Sequence, residues 1–353
     1  MTTEYNPAQT DGFAFLEYAS PDPQQLRSLF AMLGFTHVAN HKQKAVELWQ
    51  QNELYFLINK ELNSSAATYA ELHGPSTCGM AFKVADGEHA YQHTTDKGAK
   101  PFEHQANDWH DGNNIRAISG IGETALYFVD SDDFYQTEFN FIPGAVDTMR
   151  SNNAGLTYLD HVTHNVQRGN MNVWAQFYER LFNFREIRYF DIEGKHTGLL
   201  SRAMTGPCSK LRIPINESSD DKSQIEEFLK DLKGEGIQHI AMGSDNIYKT
   251  VEHLRAQGVD FMDTPATYYE KDRIEARVPQ HGEPLDLMKQ YGILIDGAPT
   301  PDGGRLLQIF TNTVIGPVFF EIIERKDDEG FGEGNFRALF ESIEADQVER
   351  GVI

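Results

Sequence analysis

The feature that most constrains this chain is a plan repeated four times: a strand, a helix, then further strands. A supersecondary unit of this size cannot bury its apolar face alone, so copies must pair around a shared core. The first copy opens with Gly12-Phe13-Ala14-Phe15-Leu16-Glu17-Tyr18. Asp22 before Pro23 then marks a helix start, and Leu26, Leu29, Phe30 and Leu33 form an apolar stripe that Gly34 stops. Runs near Phe35–Val38, Ala45–Trp49 and Leu54–Ile58 read as the following strands. The second copy begins at Gly79–Val84, has a helix over about Asp86–Lys97 and ends at Ala125–Val129. The third opens at Leu156–Val162, with Trp174, Phe177, Tyr178 and Leu181 on one helical face. The fourth opens at Ile237–Met242, with a helix over Asp245–Ala256 ahead of Gly258.

Within this plan three polar residues stand inside apolar strands: His161, His239 and Glu321, about one module apart each. A polar side chain there needs a partner, because leaving it unsatisfied away from water costs several kcal/mol. Two imidazoles and a carboxylate satisfy one another through a shared cation, and that set is the facial triad of non-haem Fe(II) oxygenases. Three coordination positions then stay open for a chelating substrate and dioxygen. The structural alternative for each residue is a satisfied core histidine, or a glutamate paired with Arg325 or another arginine. Aligning Gly12 with Gly155 puts Tyr18 opposite His161, and aligning Asp86 with Asp245 puts Met80 opposite His239. Leu126 or Tyr127 falls opposite Glu321, so these positions predict metal ligands in the C-terminal pair of copies alone.

The remaining segments read as connections. Ser131 to Asn153 is the expected linker, which divides the chain into residues 1–150 and 151–353. Pro265, Pro279, Pro284, Pro299 and Pro301 mark residues 262–302 as a long irregular insertion. Gly330-Phe331-Gly332-Glu333-Gly334-Asn335 breaks the chain before a helix with Phe336, Leu339, Phe340 and Ile343 on one face. That helix is either a glycine-hinged lid or a helix that simply packs on the barrel. His104 and His110 lie in polar sequence and are expected to be solvated, and His164 is expected to be structural.

Composition excludes several classes. With 353 residues and 40% hydrophobic content the chain can bury a large core. A net charge of −22 disfavours nucleic acid and anionic membrane as partners. The two cysteines, Cys78 and Cys208, cannot build a disulfide framework or a thiolate site. No apolar run suits a membrane span and the first residues do not read as a signal peptide, so a soluble cytoplasmic protein is expected.

Several stretches carry a family resemblance: Leu159-Asp160-His161-Val162, Arg212-Ile213-Pro214-Ile215-Asn216-Glu217, Lys222-Ser223-Gln224-Ile225 and Gln238-His239-Ile240-Ala241. Leu306-Leu307-Gln308-Ile309-Phe310-Thr311, Phe319-Phe320-Glu321 and Gly330–Phe336 complete the set. On these residues the chain resembles the 4-hydroxyphenylpyruvate dioxygenase family of the vicinal oxygen chelate superfamily. The resemblance is close over the C-terminal half and one of module layout over the N-terminal half. It implies an α+β fold of four βαβββ modules paired into two open, barrel-like domains, plus a C-terminal helix. It also implies Fe(II) on His161, His239 and Glu321, and a homo-oligomer, dimer or tetramer. The substrate would be 4-hydroxyphenylpyruvate, converted with dioxygen to homogentisate and carbon dioxide in tyrosine and phenylalanine catabolism.

The same resemblance implies that Ser201, Asn216, Gln224 and Gln308 line the substrate cavity, with Pro214 packing beside them and Phe310, Phe319, Phe331 and Phe336 as aromatic wall. Gln308, Gln224, Asn216 and Phe336 are the residues expected to act in catalysis. Strand alternation agrees for Pro214 with Asn216, Gln308 with Phe310 and Phe319 with Glu321, whereas Gln238, also implied to bind substrate, should face away from His239. The nearest alternative within the superfamily is hydroxymandelate synthase, where a smaller aliphatic residue is expected at Phe310 and a hydroxylated one at Phe336 or Pro214. A non-catalytic ligand-binding module and a pigment- or haemolysis-associated homologue are the alternatives from other classes.

Overall fold

The computed structural model describes residues 5–110, 115–194, 196–264, 266–297 and 304–351. The first copy runs β1 (Thr10–Ala19), α1 (Pro23–Met32), β2 (Thr36–His41), β3 (Val46–Gln51) and β4 (Leu54–Asn59). Helix α2 (Ser65–His73) leads to the second: β5 (Ser76–Val84), α3 (Gly87–Asp96), β6 (Arg116–Ser119) and β7 (Ala125–Val129). After α4 (Phe134–Glu138), β8 (Phe139–Phe141) and α5 (Ala145–Asn152) comes the third copy. It comprises β9 (Leu156–Val166), α6 (Met171–Phe182), β10 (Arg185–Glu193), β11 (Gly198–Thr205) and β12 (Arg212–Ser218). Helix α7 (Gln224–Leu232) precedes the fourth, which opens with β13 (Gly236–Ser244) and α8 (Ile247–Ala256). It continues through α9 (Lys271–Arg277), α10 (Leu285–Tyr291), β14 (Leu294–Gly297), β15 (Arg305–Phe310) and β16 (Phe319–Lys326), and α11 (Glu333–Glu349) follows.

These strands form two eight-stranded sheets, ordered β6-β7-β5-β1-β4-β3-β2-β8 and β10-β11-β12-β9-β13-β16-β15-β14, which makes the fold α+β as expected. In each complete copy the first strand pairs in parallel with the last, and the two first strands of a pair lie antiparallel at the sheet centre. That arrangement carries residues of β9, β13 and β16 side by side although they are distant in sequence. Local signals set the helices: Asp22 accepts from the Gln24 amide, Asp86 from the His89 amide and Asn246 from the Lys249 amide.

Four sequence expectations change. The second copy has three strands among the described residues, with only a Pro101–Ile118 bridge beside β6. The expected linker instead supplies β8, which pairs with β2 at the sheet edge, and α5. The proline-rich insertion is organised as α9, α10 and edge strand β14, which pairs with β15; Pro265, Pro299 and Pro301 lie outside the described residues. Lastly, the ladders place Phe15, Gly79 and Tyr127 at the positions of His161, His239 and Glu321, rather than Tyr18 and Met80. The true helix caps are Asp86 and Asn246, one residue from the assumed pairing, and bulges in β1 displace the glycine-based alignment by three.

Candidate metal centre

The C-terminal sheet builds one buried group of donors. In register, Ala241 lies opposite His161 on one side and Glu321 on the other, while His239 lies between Thr163 and Phe319. Residues two apart on a strand share a face, so His161, His239 and Glu321 project to the same side of the sheet. Their exposures are 3%, 5% and 2%, so no solvent shell competes for them. His161 Nε2 and His239 Nε2 stand 3.2 and 3.5 Å from the same oxygen, Oε2 of Glu321. Donor atoms bound at right angles about 2.0–2.2 Å from one cation lie about 3 Å apart, and the spacing fits that requirement. Two imidazole nitrogens with one carboxylate oxygen suit a borderline divalent transition metal.

Neighbouring residues orient each donor. His161 Nδ1 donates to Asp160 Oδ1 at 2.8 Å, since an ionised carboxylate can only accept, and this leaves Nε2 with its lone pair. His239 Nδ1 lies 2.9 Å from Gln238 Oε1, and the Thr163 hydroxyl lies 2.9 Å from Nε2. Gln308 Nε2 donates to Glu321 Oε1 at 2.6 Å, which directs Oε2 toward the imidazoles. Asn335 Nδ2 in turn donates to Gln308 Oε1 at 2.8 Å, because the Gln308 NH2 is committed to Glu321. Phe319 stacks on His239 with centroids 4.8 Å apart, and the Phe331 ring lies 5.5 Å from that of His161.

The charges make the two histidines unlike. Burial presses both toward the neutral form, but the carboxylates of Glu321 and Asp160 raise His161 above its ordinary pKa. Burial and the charge of His161 instead hold His239 well below. Asp160 is buried too, and its contacts with Arg325 outweigh that burial, keeping it ionised far below the usual carboxylate range. Arg325 therefore pairs with Asp160 and not with Glu321, the partner considered from sequence.

The other expected residues fall around this group. Ser201 and Asn216 are cross-strand neighbours on β11 and β12, both buried, and Asn216 pairs with Asn165 on β9. Ser201 Oγ and Asn216 Oδ1 have no hydrogen-bond partner among the described residues. Pro214, also buried, lies on the same strand face as Asn216. Gln224 is buried at the first turn of α7, which packs on β12 and β9. Phe310 lies opposite Glu321 on β15 and meets Phe319 edge-on, with centroids 6.2 Å apart. Phe336 of α11 meets Phe190 edge-on, and Leu339 packs in the cluster with Phe310 and Phe319. Gln238 is buried and its Oε1 reaches His239 Nδ1, at a bulge between Ile237 and His239 that interrupts strict alternation.

Sequence reasoning missed the contacts of Asp160 with Arg325 and with Arg212, 3.6 Å away, and of Thr163 with His239, although an aspartate next to a histidine inside an apolar strand was the available signal. It also misjudged His110, which is 3% exposed and hydrogen-bonds the Tyr127 hydroxyl at 2.9 Å. His104, Asp108 and His110 form a second group close enough to hold a cation. Both oxygens of Asp108 already accept from Ser65 and Gln105, which gives the group a structural role at the start of α2. At the centre of the N-terminal sheet, buried Glu17 accepts from Asn59, Trp109 and Tyr127. A Cβ on Gly79 would lie 2.9 Å from both Glu17 and Tyr127, so the place taken by His239 in the other sheet is filled. His164 is structural as expected, buried and bonded to the Tyr178 hydroxyl.

Comparison with known proteins adds sequence and fold relationships. Residues 5–140 match the model "Hydroxyphenylpyruvate dioxygenase, HPPD, N-terminal". Residues 158–310 match that of the Glyoxalase/Bleomycin resistance protein/Dioxygenase superfamily. The chain is 55% identical to 4-hydroxyphenylpyruvate dioxygenase of Pseudomonas aeruginosa, covering 99% of this chain and 98% of that one. It is 54% identical to Hemolysin VllY of Vibrio vulnificus, covering 100% and 99% of the two chains. A mutant 4-hydroxymandelate synthase from Streptomyces coelicolor shares the fold, with a TM-score of 0.81, 24% identity and coverage of 96% and 99%.

Proposed function

Because this chain belongs to the 4-hydroxyphenylpyruvate dioxygenase family, we propose that His161, His239 and Glu321 hold a ferrous ion at the centre of its C-terminal sheet. The chain is a dioxygenase: 4-hydroxyphenylpyruvate and dioxygen go to homogentisate and carbon dioxide, with ring hydroxylation and migration of the side chain. The observation that carries the ligand assignment is the convergence of two imidazole nitrogens on one glutamate oxygen in a buried site. Ferrous iron supplies the open coordination positions and the electrons that activate dioxygen.

The protein's own residues do the rest. Gln308 holds Glu321 Oε1 and leaves Oε2 toward the two imidazoles, where it would bind the ion. Ser201 and Asn216 offer buried polar atoms without partners among the described residues, suited to the polar groups of a hydroxylated keto acid. Gln224 and Pro214 complete that side, Gln238 orients His239, and Phe310, Phe319, Phe331 and Phe336 enclose the aromatic ring. Residues 1–150 form the half whose sheet centre is plugged, residues 151–353 the catalytic half, and α11 covers the site as a lid. The working form is a cytoplasmic homo-oligomer. No helix among the described residues is long and apolar enough to cross a membrane.

Anaerobic reconstitution with ferrous iron, followed by 4-hydroxyphenylpyruvate, ascorbate and oxygen, tests the reading. Homogentisate is the expected product, and hydroxymandelate would favour the alternative chemistry. Glu321→Ala is expected to abolish turnover with the far-ultraviolet circular dichroism unchanged; near-normal turnover would remove Glu321 from the ligand set. Haemolysis that persists in His239→Ala would belong to a separate activity.

A further inference from the structure

Two arginines grip the aspartate behind His161 with one part of the guanidinium and the chain before α11 with another. Asp160 Oδ1 accepts from His161 Nδ1 and from Arg325 Nη2, each at 2.8 Å, and Oδ2 accepts from Arg325 Nε at 2.7 Å. Arg212 Nη1 lies 3.6 Å from Oδ2. The remaining Arg325 nitrogen, Nη1, donates to the carbonyls of Asp328 and Gly330 at 3.0 and 2.6 Å. Arg212 Nη2 pairs with the Glu329 carboxylate. Residues 328–330 are thus tied to the same carboxylate that orients His161. Immediately beyond them Phe331 meets the ring of His161, and Asn335 reaches Glu321 through Gln308. Two chains of contacts, through Arg325 and through Asn335, join the base of α11 to the metal-binding group.

We propose that Asp160, Arg325 and Arg212 are positioning residues that set the tautomer of His161 and anchor the loop before α11, so that metal capture and docking of that helix are coupled. The inference rests on His161 being a metal ligand. With Asp160 as acceptor, the imidazole proton stays on Nδ1 and Nε2 faces the ion. An asparagine cannot receive donors on both sides, so one contact is lost: either its NH2 faces His161 and favours the wrong tautomer, or it faces Arg325. Coupling is reciprocal, so an ion bound at the triad must also slow opening of the loop and helix.

The test uses metal-depleted full-length protein titrated anaerobically with Co(II), whose visible absorption reports its coordination, together with hydrogen exchange over residues 328–340. Asp160→Asn is expected to weaken Co(II) binding 10–100-fold and change the spectrum. In wild type, Co(II) should slow exchange in the loop; in Arg325→Met the slowing should vanish and binding weaken about tenfold, as for other residues that orient a ligand. Arg325→Lys, which keeps the charge without the fork, serves if the methionine variant does not fold. Glu47→Gln, which breaks the distant Arg27–Glu47–Lys60 cluster, should lower the melting temperature while leaving Co(II) affinity unchanged. Asp160→Asn and the Arg325 variant binding within twofold of wild type, or Glu47→Gln weakening Co(II) equally, would overturn the inference and leave the ligand reading intact. If wild type and His239→Ala bind Co(II) alike, both fall.

Discussion

A single buried hydroxyl separates structural from functional residues at this site. Ser201 Oγ has no partner among the described residues, so the fold carries its desolvation cost without a compensating hydrogen bond there. Ser201→Ala should therefore leave thermal stability unchanged or raise it, by about 1–3 kcal/mol at most. The KM for 4-hydroxyphenylpyruvate should rise at the same time. A melting temperature that falls with KM unchanged would show the hydroxyl to be structural; differential scanning fluorimetry with steady-state kinetics reads both. Glu17 is the contrasting case, a buried carboxylate with three donors that leave no room for a ligand. Sequence pattern identified His161, His239 and Glu321 because a polar residue inside an apolar strand is conspicuous locally. It did not identify Asp160 or Arg325, whose meaning depends on a contact between β9 and β16 that no local pattern contains.

At the scale of elements, α11 is attached to the site by more than apolar packing. Phe336, Leu339 and Phe340 lie on the face expected from periodicity, but they serve two clusters: Phe340 packs with Phe190, and Leu339 with Phe310 and Phe319. Gly332 lets the chain enter this position: its φ is +68°, and a Cβ there would collide with Gln308 Oε1. Asn335→Ala removes the donor to that oxygen and leaves a buried acceptor unsatisfied, a cost of about 1–3 kcal/mol. The expected result is faster hydrogen exchange and easier proteolysis confined to α11, with a lower kcat. Uniformly faster exchange across both sheets would contradict a local docking role. The bulge at Gln238 shows why element-level reading fell short here. Alternation assumes a regular ladder, and one extra residue at this point leaves Gln238 beside the ring of His239.

At the scale of the molecule the two halves share one core. A single buried cluster runs from Leu16, Phe56 and Phe82 to Leu156, Ile240 and Phe320. Phe56 and Phe320 stack across the seam with centroids 6.2 Å apart. Gln51 Oε1 accepts from the Ala154 amide at 2.6 Å, and His73 Nδ1 lies 2.7 Å from the Leu232 carbonyl. Phe320→Ala should cost about 3–5 kcal/mol. Because the core is common, calorimetry should show one transition moved to lower temperature. Two separated transitions, with only the C-terminal one moved, would mean that the halves unfold independently.

The amino-acid sequence by itself determined the repeated modules, the helix starts at Asp22 and Asp86, the three strand-borne donors and the family to which the chain belongs. Modules, caps and donors depend on periodicity, capping and residue type, which act over a few neighbouring residues, and the family shows in short stretches of matching sequence. Only the tertiary structure decided that Gly79 rather than Met80 occupies the place of His239, that residues near Phe139 complete a sheet, and that Asp160 stands behind His161 between two arginines. Register, bulges and buried charge pairs are settled by what lies across the sheet, and pairing between distant strands leaves no local trace in the chain.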